Sequence, residues 1–242
     1  MKLDFRYYTQ RSVILLTFVV FLASLVLARL GLWQISRYYE RQQFNHQYLA
    51  QSAAPEITLE NSSQVEISKL EYRHAVVTGQ PLDQYAIVRI NQYHDSVLGY
   101  SLLTPLQLVD GSLLYIDRGW IPKSGNEKVE AWSKYALKNK VTIKGVLRIA
   151  KNSAKPDVNG FYIDFDQNQL EKFTGMKVLP VFLQVLPDQP INGQPIPFIA
   201  EVEITDGPHL GYAAQWFAFA LILLAGYPFF LKTRAAGQRE IE

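Results

Sequence analysis

Hydrophobic and polar positions divide this chain into three parts. An uncharged apolar run extends from Ser12 to Ala28, and beyond Arg29 the apolar character continues from Leu30 to Ile35. A second run extends from Gly211 to Leu231 and meets no charge until Lys232. An apolar helix of ~20 residues crosses the hydrocarbon core of a bilayer. The pattern therefore predicts membrane-spanning helices at 12–35 and 211–231, tails at 1–11 and 232–242, and a domain at 36–208. The first run has a basic start like a signal peptide. Its apolar stretch is too long for one, and no A-x-A site follows, so it reads as a retained anchor.

Between the runs the period shortens. The polar stretch Arg37 to Ala53 continues the first helix until Pro55 stops it. Alternating stretches bounded by turn residues then predict strands at Tyr72–Thr78, Ala86–Ile90, Tyr100–Leu108, Ser112–Asp117, Val141–Ile149, Gly160–Phe165, Val181–Leu186 and Phe198–Ile204. Asp110-Gly111 is a hairpin signal between two of them. Short helices fit Asn126–Leu137 and Gln167–Phe173, the second capped by Asp166 and ended by Gly175. The proline-rich stretch Pro187–Pro197 reads as a loop. The fold class is α+β: two terminal transmembrane helices enclose one β-rich domain, a barrel or sandwich, with a few short helices.

Composition narrows the chemistry. A net charge of +2 leaves no nucleic-acid footprint. Without cysteine the chain has no disulfide, thiolate nucleophile or thiolate metal site. Lys2, Arg6 and Arg11 precede the first run, and Lys232, Arg234 and Arg239 follow the second. Cytoplasmic flanks carry excess Lys and Arg, so both termini are expected inside and the domain outside, which is periplasmic in a bacterium. No Gly-rich phosphate loop, G-x-S-x-G or H-E-x-x-H motif is present, and the chain does not read as an enzyme.

Three clusters carry candidate chemistry. Arg29, Trp33 and Arg37 fall at i, i+4 and i+8 on one helical face at the exit of the first run. They suit an interfacial anchor, or a face that meets the second helix or a bound amphiphile with acidic groups. His209, Tyr212 and Trp216 fall at i, i+3 and i+7 at the entrance of the second, with Gln215 beside them. They suit an ordinary aromatic belt, or an imidazole iron ligand with aromatics over a macrocycle and arginines opposite its carboxylates. Asp117-Arg118-Gly119-Trp120-Ile121-Pro122 suits a strand-ending turn, or a carboxylate site at Arg118 with Trp120 against a partner. His46, His74 and His94 show no metal-ligand spacing.

Together, L-G-L-W-Q-x-x-R at Leu30–Arg37, D-R-G-W-I-P at Asp117–Pro122 and H-L-G-Y-A-A-Q-W-F at His209–Phe217 resemble the surfeit locus protein 1 family. The likeness covers about Phe5 to Leu231. It implies an assembly factor for haem–copper cytochrome c oxidase in the bacterial inner membrane, handling haem a for the catalytic subunit. The implied partners are that subunit, the haem a synthesis machinery and membrane lipid. By motif match the iron ligand is His209, with Tyr212, Trp216, Trp33 and Arg37 around the cofactor. Gln34, Gln215, Arg118 and Trp120 are then expected at partner contacts. The chain departs from the family pattern at Gly207, where Asn is common, and at Ser101, where many members have His after Gly-Tyr. A scaffold without haem and a ligand-sensing membrane protein are the alternative readings.

Overall fold

The computed structural model describes residues 9–60, 70–123, 134–150, 161–187, 195–199 and 202–239. In chain order the elements are α1 (Arg11–Ser52), β1 (Ile57–Leu59), β2 (His74–Pro81), β3 (Ile87–His94), β4 (Val97–Gln107), β5 (Leu113–Pro122), β6 (Val141–Ile149), α2 (Gln167–Thr174), β7 (Val178–Val185) and α3 (His209–Arg239). A single 3-10 turn at Asp83–Tyr85 leads into β3. Two compact units result. One combines the chain up to His46 with the chain from Glu203, and the other runs from Gln47 to Val202.

The first unit is a helix pair, and both helices are long and apolar enough to cross a membrane. Its seam is built on a seven-residue repeat. On α1, Ser24, Gly31 and Asn45 are buried; on α3, Ala213 and Ala220 are buried and Tyr227 is half-buried. Apolar tails offer no hydrophobic drive toward helix association, so close backbone approach through small residues supplies the packing. A Cβ at Gly31 would lie 2.7 Å from the Phe217 ring, so any larger residue there would have to displace that ring. At the other end the Thr17 and Tyr227 hydroxyls meet at 2.7 Å. The serine and threonine of the seam also bond back to their own helix, Ser24 Oγ donating to the Val20 carbonyl at 2.9 Å and Thr17 Oγ1 to that of Val13 at 2.8 Å. Such back-bonding removes the cost of bare hydroxyls in an apolar setting.

The second unit is a seven-stranded sheet in the order β1-β2-β6-β7-β5-β4-β3. Gln80 and Pro81 of β2 also pair with Gln107 and Leu106 of β4, which closes the sheet into a barrel. Inward residues of six strands, β3 excepted, fill it, among them Val77, Leu106, Leu114, Ile116, Ile143, Leu147 and Leu183. Fully burying one such side chain stabilises by about 1.5–3 kcal/mol. A second cluster lies between the barrel wall and α2, where Tyr115, Phe165, Leu170, Val178 and Phe182 meet. Asp166 caps α2 by accepting from the Gln169 amide at 3.1 Å, and Gly175 ends it with φ 68°.

Several expectations change. β5 does not stop at Asp117 but runs through Arg118-Gly119-Trp120 to Pro122. It pairs with β7 up to Asp117 and then with Ile196, whose carbonyl accepts from the Trp120 amide at 2.7 Å. Gly119 permits the exchange. Its φ is +119°, and a Cβ there would lie 2.1 Å from the Ile196 carbonyl oxygen. The strand expected at Gly160–Phe165 is, in its described part, one bridge from Tyr162 to Arg89. Phe198–Ile204 carries no strand in its described residues. Most of the helix expected at Asn126–Leu137 lies outside the described residues, and 134–137 is not α-helical. The three-residue β1, parallel to β2, was not foreseen.

Candidate functional site

The most distinctive polar arrangement in the helix pair surrounds the start of α3. His209 is its first residue, and the imidazole Nδ1 lies 2.9 Å from Oε1 of Gln34 on α1. An amide oxygen only accepts, so this bond assigns the ring proton to Nδ1 and leaves the Nε2 lone pair outside it. The chain entering α3 is tied to the same face of α1. Arg41 Nε donates to the Thr205 carbonyl at 2.9 Å, and its Nη2 donates to the Glu203 carbonyl. Asn45 Nδ2 donates to the same Thr205 carbonyl at 3.1 Å. Gln34, Arg41 and Asn45 are spaced by seven and four residues, so they continue one stripe of α1.

The neighbouring aromatics point differently. Tyr212 is 47% exposed and Trp33 is 50% exposed. Trp216 is half-buried and meets Phe219 edge-on, with centroids 6.2 Å apart. Gln215 is exposed. Arg37 is exposed and pairs with Glu40 at 2.5 Å along its own helix. The structure thus brings His209 and Gln34 into direct contact. Tyr212 and Trp33 are exposed and Trp216 is half-buried, whereas Ala213, Ala220 and Gly31 are buried. Arg41 and Asn45 were missed by sequence reasoning. Extending the seven-residue spacing from Gln34 along the polar part of α1 would have found Arg41.

Arg118 and Trp120 were expected at a partner surface, and in this structure neither side chain is presented there. Arg118 is 0% exposed and Trp120 is 8% exposed. The cause is the continuation of β5, which gives both residues strand geometry inside the barrel unit. Arg118 Nη1 lies 3.8 Å from Asp83 Oδ1 and 3.4 Å from Thr104 Oγ1. Its Nε and Nη2 have no partner among the described residues. Burial lowers its pKa to about 10, with Asp83 acting in the opposite sense. Burial also raises the Asp83 carboxyl above its ordinary value, while the Leu137 amide and Arg118 hold it down. Asp117 is the better partnered of the two. It accepts from Arg89 at 2.8 Å, from the Ser101 hydroxyl and from the Gly119 amide at 3.1 Å. Ser101, where many members of the resembled family have histidine, is therefore spent on this buried network. Trp120 Nε1 donates to the Gln92 carbonyl at 3.2 Å.

Comparison with known proteins decides the family. The SURF1 family model matches residues 21–221, which takes in α1 from the middle of its apolar run, the whole barrel unit and the first half of α3. The chain belongs to the SURF1 family. A SURF1-like protein of Rickettsia prowazekii is 24% identical over 239 residues, covering 88% of each chain. A SURF1-like protein of Mycobacterium tuberculosis is 23% identical over 230 residues, covering 91% of this chain and 83% of its own. One of Dictyostelium discoideum is 29% identical over 115 residues, or 43% of each chain. Within the SURF1 match both the Leu30–Arg37 and His209–Phe217 segments are included, so the Gln34–His209 contact lies inside the family region.

Proposed function

We propose that this chain is a membrane-anchored assembly factor for haem–copper cytochrome c oxidase, and that it holds haem a for the catalytic subunit. SURF1-family membership supports the oxidase assembly role. Two apolar helices support placement in a membrane. The positive flanks favour cytoplasmic termini and a periplasmic barrel in the bacterial inner membrane.

The observation that carries the haem a reading is the Nδ1–Gln34 bond, which leaves Nε2 of His209 outside that bond. A haem-ligating histidine commonly donates its other ring N–H to an acceptor that fixes its orientation. Tyr212, Trp216 and Trp33 supply apolar ring surface beside it, and Arg37 supplies a cation for a carboxylate. These residue types fit haem a. When bound, the group would supply an iron centre for axial ligation and a hydrophobic macrocycle. The chain's own part is to orient one imidazole, to offer aromatic surface and to keep the site at the membrane edge. Gln215, exposed one residue before Trp216, remains available to the oxidase subunit.

Purification after co-expression with haem a synthesis tests this reading. Wild type is expected to carry a Soret band that His209→Ala loses. A colourless wild type that still co-purifies with the oxidase subunit would favour the scaffold without haem. The exposed Trp33 and Tyr212 are the observation on which that second reading rests, since large rings also suit helix–helix contact with a partner.

A further inference from the structure

We propose that Gln34 is a positioning residue: its amide oxygen locks His209 in the Nδ1–H tautomer and so decides which ring nitrogen meets a ligand. The functional consequence rests on His209 being the iron ligand, but the tautomer itself does not. A neutral imidazole carries one proton, and with the oxygen end of the Gln34 amide turned toward it, the facing nitrogen is the one that holds it. The acceptor here is Gln34 Oε1 at 2.9 Å from Nδ1. An unconstrained histidine exchanges between two tautomers, and only one of them presents the Nε2 lone pair.

The bond is preorganised from both sides. Three residues before Gln34, the Phe217 ring packs against Gly31, where a Cβ would lie 2.7 Å from it, which favours one helix register. Seven and eleven residues beyond Gln34, Arg41 and Asn45 hold the Thr205 carbonyl and thereby the chain entering α3. Gln34 therefore does not need to search for His209, and little side-chain freedom is lost when the bond forms. Because one partner stands on each helix, the tautomer also reports helix contact. Loosening the pair at Gly31 would release Nδ1 and with it the assigned ligand nitrogen.

The choice of an amide also sets ligand strength. A carboxylate acceptor draws the Nδ1 proton strongly and makes Nε2 a more basic ligand, whereas a neutral amide leaves the ring closer to an ordinary imidazole. Gln34 would then give a ligand strong enough to hold iron and weak enough to surrender it, which suits a protein that hands its cargo on.

Nitrogen-15 spectra of histidine-labelled full-length protein in detergent micelles, without haem and at pH 8, read the tautomer directly. His209→Asn assigns the signal. Wild type is expected to show a protonated Nδ1, Gln34→Glu to retain it, and Gln34→Leu to lose the preference. A protonated Nε2 in wild type, or no change in Gln34→Leu, would overturn the proposal. A second arm measures haem a retention in the same variants. Gln34→Leu is expected to lower affinity by about tenfold or more, and Gln34→Glu to keep the haem at a lower reduction potential. If no variant holds haem while the tautomer still follows Gln34, the ligand reading fails and the positioning role stands. If wild type and Gln34→Leu hold haem equally, the positioning role toward iron fails even though the ligand reading stands.

Discussion

Arg118 and His209 are both polar side chains set in apolar surroundings, and the fold treats them in opposite ways. Arg118 lies on a strand inside the barrel unit, wholly buried, with its nearest carboxylate 3.8 Å away. His209 lies at the first residue of a helix, half-buried, with one nitrogen engaged across the pair and the other outside that bond. A strand in a closed sheet commits each inward side chain to the core, so a motif there serves the fold whatever its residue types suggest. A helix end keeps part of its periphery open, so a polar group there can meet a ligand. Around Arg118 the chain exchanges strand partners along β5, whereas His209 stands at a helix start in contact with Gln34.

Substitutions can break that contrast. The largest effect is expected at Gly119→Val, where positive φ and the Ile196 carbonyl both forbid a side chain; a loss of about 5 kcal/mol in denaturant unfolding is expected. A neutral result would mean that β5 does not exchange partners there. Asp117→Ala should cost about 3 kcal/mol, because Arg89 would lose the partner of a largely buried ion pair. Stability unchanged by this substitution would show that Arg89 finds other compensation.

The helix pair offers the matching break. Gly31→Leu should weaken the pairing by about 2 kcal/mol through overpacking against Phe217. The chain has no cysteine, so spin labels can be placed at exposed Leu16 and Phe229 without background. A narrow distance distribution is expected in the parent and a broad one with Gly31→Leu; identical distributions would remove the seam as the organising contact.

Alkaline pH should loosen the barrel unit selectively. Burial raises the phenols of Tyr115, Tyr162 and Tyr72 above the ordinary tyrosine value. The unfolded chain releases these protons first, so their contribution is complete below about pH 10 and is lost as pH rises beyond it. Ultraviolet titration should show a late phenolate fraction that coincides with unfolding, and a single early step with an intact fold would contradict it. The smallest effect is expected at Arg37→Ala. The exposed pair with Glu40 contributes about 0.3 kcal/mol at most, so helix stability should barely move.

Much of the fold is legible where local and long-range signals agree. β6 runs from Val141 to Ile149 as its alternation indicates, and α2 begins and ends at its two cap residues. β5 is not legible beyond Asp117, because Arg-Gly resembles a stop and the pairing partner, Ile196, lies far along the chain. Phe198–Ile204 shows the converse: a strand-like pattern forms no strand among its described residues. At the candidate site, helical spacing groups His209, Tyr212 and Trp216 on one face, and the structure supplies the helix, which begins at His209. Which flank of that face meets α1 depends on the small residues Gly31, Ala213 and Ala220, whose role appears only when two distant helices are laid together.

His209 is the residue proposed to bear the ligand in the helix pair. The most direct test of that role is the optical spectrum of full-length protein purified from cells that make haem a, beside His209→Ala at equal yield. A Soret band in wild type that disappears in His209→Ala is the expected result. A band of equal intensity in both, or no band in either, would contradict it.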